Sequence, residues 1–434
     1  SNSQFGVSRK MSGSSVGQGH QQTEQAANDP QGYVAQRLRA LAEKSGLGLL
    51  QLGGKSLLPV VQGGMGVGVS AGGLAGAVAS MGAVGTISSI DLRRLHPDLM
   101  EETHPLEKSE DIPTAKRIIN AANMTAFRRE IDRARQIAEG SGLIAVNIMK
   151  ALGAYAEYVK TALEAKVDAL VVGAGLPLDL PDLAKDHPET SLIPILSDAR
   201  GVQLLVKKWE KRGRLPDAVV IEHPRLAAGH LGASKVEDLN DTRFDFENVI
   251  PQVRAFFKSA GYERDIPLVA AGGISSREDI VRLQNMGASA VQMGTAFAVT
   301  RESNASEAFK QVLANAEPED IVEFISCAGL PARAVRTPWL DKYIRIENKL
   351  QKVAHEKPCN MAFDCLAHCG FRDGKSDMGQ FCIDKQLGHA LEGEVGKGLF
   401  FRGAGKLPFG NQIRSVEELM QWMLGGIMPS ANPA

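Results

Sequence analysis

Ala270-Ala271-Gly272-Gly273-Ile274 and Gln292-Met293-Gly294-Thr295-Ala296-Phe297 decide how this chain is read. In each stretch an apolar run ends in glycine just before a helix start. Pro267-Leu268-Val269-Ala270-Ala271 and Ala290-Val291-Gln292-Met293 have the pattern of strands buried on both faces of a parallel sheet. Between them, Ser275-Ser276-Arg277-Glu278-Asp279 offers a capping serine and acids for a first helical turn. Glycine has no Cβ, so backbone N–H groups can crowd an anion there, and a helix N-terminus adds partial positive charge. Gly272, Gly273, Gly294 and Thr295 therefore predict a phosphate nest. In a (β/α)8 barrel that nest follows strands seven and eight.

Upstream of these turns, short apolar strands alternate with helices. Strands are expected at Leu57–Gln62, Ala83–Thr86, Leu143–Asn147, Ala169–Val172, Ile193–Ser197 and Ala218–Glu222. With the two opening strands they make eight over about 240 residues, the size of a TIM barrel of the α/β class. The competing reading is an open doubly wound sheet, because Gly66-Val67-Gly68-Val69-Ser70-Ala71 nearly fits a dinucleotide fingerprint. No acid ends the second strand to hold a ribose, which argues for the barrel. Three regions follow. Residues 1–45 form a polar arm and a short helix at Tyr33–Lys44, residues 46–341 the barrel, and residues 342–434 a small C-terminal lobe. The polar stretch from Asp91 to Pro113 has the length of a functional loop or lid. The lobe holds a glycine-rich run from Gly393 to Gly410 and an amphipathic helix marked by Val416, Leu419, Met420 and Met423.

Composition excludes several function classes. The 49 basic and 50 acidic residues nearly cancel, which leaves no electrostatic footprint for nucleic acid or an anionic membrane. Ser56 to Ile90 carries no charge, but its nine glycines suit a buried strand–turn–helix–strand better than a membrane span. The first residues lack the pattern of a signal peptide, and five cysteines in 434 residues are too few for a disulfide scaffold. A reducing, cytoplasmic setting is expected.

The sixth strand runs into Glu222-His223-Pro224-Arg225-Leu226-Ala227-Ala228-Gly229-His230-Leu231-Gly232. Catalytic groups of barrels sit at such strand ends, and histidine titrates near neutrality. His230, lying between Gly229 and Gly232, can approach a ligand with little neighbouring bulk; on spacing alone a surface-loop histidine is the plainer reading. His223, next to proline, reads as structural. Glu222 has three readings: orienting a histidine, bonding a cofactor edge, or facing water.

Six motifs resemble the nitronate monooxygenase family, FMN-dependent barrels related to the flavin-dependent enoyl-acyl-carrier-protein reductases. They are Gln62-Gly63-Gly64-Met65, Val146-Asn147-Ile148-Met149, Ala228-Gly229-His230-Leu231-Gly232, the two opening stretches, and Gly329-Leu330-Pro331-Ala332-Arg333-Ala334-Val335-Arg336. The resemblance spans about residues 50 to 425 and implies FMN as cofactor. Gly63, Gly64 and Met65 would line the isoalloxazine ring and Asn147 would hydrogen-bond it. Gly173 and Ser197 would lie near the ring or ribityl chain. Gly272, Gly273, Gly294 and Thr295 would hold the phosphate, and His230 would be the catalytic histidine. The chain departs from the family in Ala228-Gly229, where two glycines are common, and in a slightly longer segment from Glu222 to His230.

Cys359, Cys365, Cys369 and Cys382 cluster in sequence, with His368 beside them. Gathered thiolates suit zinc or an iron–sulfur cluster, although the spacing is not that of a zinc ribbon, and buried reduced thiols give the same pattern. Cys327 is expected to pack in the core. The resulting expectation is an oxidoreductase that acts on alkyl nitronates with oxygen. The first alternative is an NAD(P)H-dependent enoyl-thioester reductase on the same scaffold. The second is a non-catalytic flavin or metal redox sensor.

Overall fold

The predicted strands close on themselves. In the computed structural model, which describes residues 32–431 apart from 263, 357, 358, 360 and 364, eight parallel strands form a closed barrel. They are β1 (Val60–Gln62), β2 (Val84–Ser88), β3 (Leu143–Met149), β4 (Ala169–Gly173), β5 (Ser191–Leu196), β6 (Val219–Glu222), β7 (Leu268–Ala271) and β8 (Ala290–Met293). Each pairs with its neighbour in sequence, and β8 returns to β1. The open-sheet alternative is thereby excluded. The first 31 residues of the expected arm lie outside the described residues; the helix Tyr33–Lys44 forms as expected.

Val61, Val84, Ala145, Val171, Ile193 and Val220 fill the barrel interior. Its lower end is plugged by Leu50, Leu52 and Leu57, from an antiparallel hairpin that the sequence reading missed. The expected strand at Leu57–Gln62 is thus two pieces. Pro59 separates them: Leu57 ends the hairpin, and β1 begins at Val60.

The uncharged stretch from Ser56 to Ile90 is buried through most of its length. Its helix, Gly72–Ser80, lies directly on Ile112–Ala138. A Cβ on Gly72 would stand 2.5 Å from the Glu130 carbonyl oxygen, and one on Gly76 would stand 2.8 Å from Ile137 Cβ. Small residues are what let the two backbones meet. Among the described residues, no helix is long and apolar enough to cross a membrane.

The expected lid is a correction. Residues 91–113 fold into short helices at Leu92–Leu95, Pro97–Thr103 and His104–Lys108. A buried ion network ties them down. Arg93 donates to Asp91 at 2.8 Å and to Glu107 at 2.6 Å, while Arg94 donates to Asp91 at 2.7 Å and to Asp384 at 2.9 Å. Burial opposes ionisation of Asp91, yet the two arginines hold its carboxyl down at about 2. The polar residues of a stretch long enough for a functional loop or lid are spent on one another.

A second, three-stranded sheet joins Gly229–His230, Pro331–Val335 and Ile321–Ile325. The helix Val416–Gly425, with its Ser415/Glu418 capping box, packs on Tyr33–Lys44 and Arg277–Met286.

Candidate active site

The C-terminal ends of the barrel strands open into a cavity of about 710 Å³, within the range of cofactor and substrate pockets. Every predicted cofactor residue lines it: Gly63, Gly64 and Met65 after β1, Asn147 in β3, Gly173 ending β4, Ser197 after β5, and Gly272, Gly273, Gly294 and Thr295 after β7 and β8. The walls are backbone where a side chain would intrude. A Cβ on Gly64 would lie 2.5 Å from Asn147 Cβ, and one on Gly63 would lie 3.0 Å from the Gln292 amide. A Cβ on Gly232 would strike Ser197 Oγ at 1.8 Å.

The two glycine turns are neighbours, because Ala271 is in register with Gln292. Gly272 and Gly273 have φ values of 112° and 71°, which a residue with a Cβ rarely adopts. A third segment, Phe401–Leu407, crosses over both turns. Gly403 N–H donates to Thr295 Oγ1 at 2.9 Å, and a Cβ on Gly405 would approach Gly273 Cα at 3.3 Å. Arg402 holds this strap in shape by donating to the carbonyl oxygens of Leu313, Gly403 and Gly405. Lys406 follows; it is exposed and lines the cavity. Sequence reasoning marked this run only as glycine-rich. The available signal was the spacing of Gly403 and Gly405 followed at once by lysine, which joins close backbone approach to a cation.

His230 reaches the cavity from the second sheet, not from a loop. Ala332 is its register partner on Pro331–Val335. Its Nε2 lies 2.9 Å from Ser326 Oγ, and that oxygen also accepts from Ala328 N–H at 3.1 Å. The ring packs at 5.8 Å from Phe401 of the strap. Burial pushes its pKa from 6.5 to about 4, so the imidazole is neutral near pH 7. Arg333, wholly buried, donates to the carbonyl oxygens of Pro224 and Ala227 and to Glu323, which pins the loop leading to His230. The Gly329–Arg336 motif therefore builds the platform for the histidine. Ser326, just upstream of that motif, was not singled out by sequence reasoning.

His223 is held by its neighbours in the loop after β6. Its Nδ1 accepts from Arg225 N–H at 3.3 Å, its Nε2 pairs with Asp245 at 3.1 Å, and Phe246 packs edge-on against it. Glu222 lines the cavity, and burial pushes its carboxyl up to about 7 against the pull of Arg333.

The cysteines arrange differently from a ligand set. Among the described residues, no three His, Cys, Asp or Glu side chains stand where they could hold a metal ion. All five thiols are free. Cys327 joins the group, since its thiol and that of Cys369 are close enough to shift each other's ionisation in opposite directions. Cys365 lines the cavity, and Cys382 immediately precedes the helix Ile383–Leu391. Burial raises the pKa of Cys365 and pushes Cys382 up to about 12, whereas the neighbouring Cys327 thiol holds Cys369 down at about 6.

Comparison with known proteins gives one family. The profile of the nitronate monooxygenase family matches residues 54–423. A Bacillus subtilis (strain 168) protein named a probable nitronate monooxygenase is 24% identical over 300 residues, covering 67% of this chain and 80% of its own length. A Staphylococcus saprophyticus protein of the same name is 30% identical over 137 residues, covering 30% of this chain and 36% of its own. Among solved structures, FabK from Thermotoga maritima superposes with a TM-score of 0.58 at 23% identity, covering 84% of this chain and 91% of FabK. Nitroalkane oxidase from Streptomyces ansochromogenes gives a TM-score of 0.53 at 20% identity, covering 84% and 94%. Those two likenesses show a shared fold. With the family profile spanning barrel, histidine sheet and strap, the chain belongs to the nitronate monooxygenase family and is an oxidoreductase.

Proposed function

We propose that this protein is an FMN-dependent oxidoreductase that oxidises alkyl nitronates with oxygen. The observation that carries the reading is a neutral histidine, fixed on a sheet, facing a cavity lined by glycine turns at the barrel's strand ends. The fit to FMN rests on the same glycines. Gly63, Gly64 and Met65 would take the flat face of the ring, with Asn147 bonding its edge and Gly173 and Ser197 beside the ring or ribityl chain. Gly272, Gly273, Gly294 and Thr295 would hold the phosphate, with Lys406 supplying a countercharge. When bound, the flavin accepts the substrate's electrons and passes them to oxygen.

The chain's own groups do the rest. With the ring hydrogen on Nε2, His230 donates to Ser326 Oγ and keeps a lone pair on Nδ1. That nitrogen takes a proton from the carbon bearing the nitro group, or lies against the nitronate once it has formed. The five free thiols suit a reducing cytoplasm. His230→Ala should leave flavin bound and cut nitronate oxidation about 100-fold or more; unchanged turnover would remove His230 from the mechanism.

A second reading, an NAD(P)H-dependent enoyl-thioester reductase, is favoured by one feature. Ile90, Met149, Leu152, Leu366, Ile383 and Leu387 give the cavity an apolar arm that suits a hydrocarbon chain.

A further inference from the structure

Glu222 ends β6, and its register partner Ala271 immediately precedes Gly272. Its side chain shares the cavity with His230, Asn147 and Ser197. Among the described residues, no hydrogen-bond donor reaches its carboxyl group, and the cation acting on it is Arg333. That guanidinium is committed elsewhere, to Pro224, Ala227 and Glu323. The other charged or titratable groups lining the cavity are His230, Asp198, Arg243, Asp384, Cys365 and Lys406. Asp198 accepts from Gly201 N–H and lies 4.0 Å from Arg243, and Asp384 is paired with Arg94. None of them bonds Glu222.

A half-buried carboxylate without donors is unfavourable, and the acid form removes the problem. A nitronate poses the opposite problem, because it is an anion with two acceptor oxygens and no donor. An ionised Glu222 would repel it. A protonated Glu222 offers it an O–H.

We propose that Glu222 acts as a carboxylic acid that donates a hydrogen bond to an oxygen of the anionic substrate, so that anion binding requires its proton. This rests on the nitronate reading above. The O–H bond stays intact, and no proton is transferred in binding. Burial has pushed two groups in opposite directions: His230 is neutral down to about 4, and Glu222 is neutral up to about 7. The site thus meets an anion with one neutral base and one neutral acid, the separation expected of a working acid/base pair.

The test uses the flavin-loaded protein and isobutyrate, an unreactive carboxylate anion, with binding read from the shift in the visible spectrum. Wild type should bind isobutyrate more than tenfold more weakly at about pH 8.5 than at about pH 6, since affinity falls about tenfold per pH unit once the carboxyl ionises. Glu222→Gln keeps a donor at every pH and should bind equally, within about twofold, at both. Equal wild-type affinity at the two pH values would overturn the proposal. So would a variant that keeps the wild-type fall, or no binding at either pH. Nitronate oxidation is assayed separately. Turnover with flat isobutyrate binding sinks the Glu222 proposal alone, whereas pH-linked binding without turnover sinks the nitronate reading and leaves the anion contact standing.

Discussion

His230 Nε2 stands 2.9 Å from Ser326 Oγ, across 96 residues of sequence. The histidine comes from the short strand Gly229–His230, which follows β6, and the serine from the turn after the strand Ile321–Ile325. Antiparallel pairing of Gly229–His230 with Pro331–Val335 brings the two together. The barrel supplies the cavity, and the following sheet supplies the histidine with the hydroxyl that orients its ring.

Removing that contact should show in rate, not in cofactor content. Ser326→Ala should retain flavin and lose about threefold to tenfold in kcat, the worth of one hydrogen bond of about 0.5–1.5 kcal/mol. Steady-state kinetics with a nitronate checks it. An unaltered kcat would mean that the ring is held by packing against Phe401 alone.

The pH dependence follows from the buried ring. His230 has its pKa lowered from 6.5 to about 4 on folding, so the unfolded chain binds the proton more readily. The stabilising share of this group is complete above 6.5 and is lost as pH falls through the window down to about 4. Urea midpoints of wild type and His230→Gln should therefore diverge progressively across that window, with wild type showing the steeper fall. In the same way, the acid limb of kcat/KM should lie near 4 and not near 6.5. Parallel stability curves would contradict the burial argument.

The phosphate nest makes separate predictions for backbone and charge. A Cβ at Gly273 would meet Leu226 Cδ1 at 2.8 Å, on a backbone with φ of 71°. Gly273→Ala should cost about 1–3 kcal/mol in folding stability and release flavin on gel filtration. Lys406→Ala touches an exposed side chain and should leave stability unchanged. It should weaken FMN binding about threefold to tenfold, with a shallower salt dependence than wild type. Fluorescence titration of the apoprotein measures both.

Arg93 tests whether residues 91–113 are scaffold. Its side chain is fully buried between Asp91 and Glu107. Arg93→Met takes the guanidinium that bridges two buried carboxylates, leaving Asp91 to Arg94 alone among arginines, and should cost about 3 kcal/mol in chemical denaturation. A surface lid would tolerate the change with almost no loss.

The barrel was legible because its strands are buried on both faces and therefore spell continuous apolar runs, as at Leu268–Ala271 and Ala290–Met293. The glycines of the cavity were legible because chemistry that needs bare backbone leaves only one residue type. The polar stretch from Asp91 misled, since a buried ion network and a solvated loop have the same composition. Only the fold brings Asp384 to Arg94. Ser326 was hidden for a related reason, since it acts on His230 from far along the chain, and the Gly403–Lys406 run showed its glycines and lysine but not that they lie on Thr295 and Gly273. The cysteines were close in sequence, but Cys369 found its neighbour in Cys327, outside the run.

The most direct test of the central claim is anaerobic mixing of the yellow, FMN-loaded protein with propyl-2-nitronate, followed in parallel with NADH and with NADPH. The account predicts rapid bleaching of the flavin band by the nitronate and recovery of the colour on admitting oxygen. Bleaching by a nicotinamide while the nitronate leaves the band unchanged, or a protein that takes up no FMN at all, would contradict it.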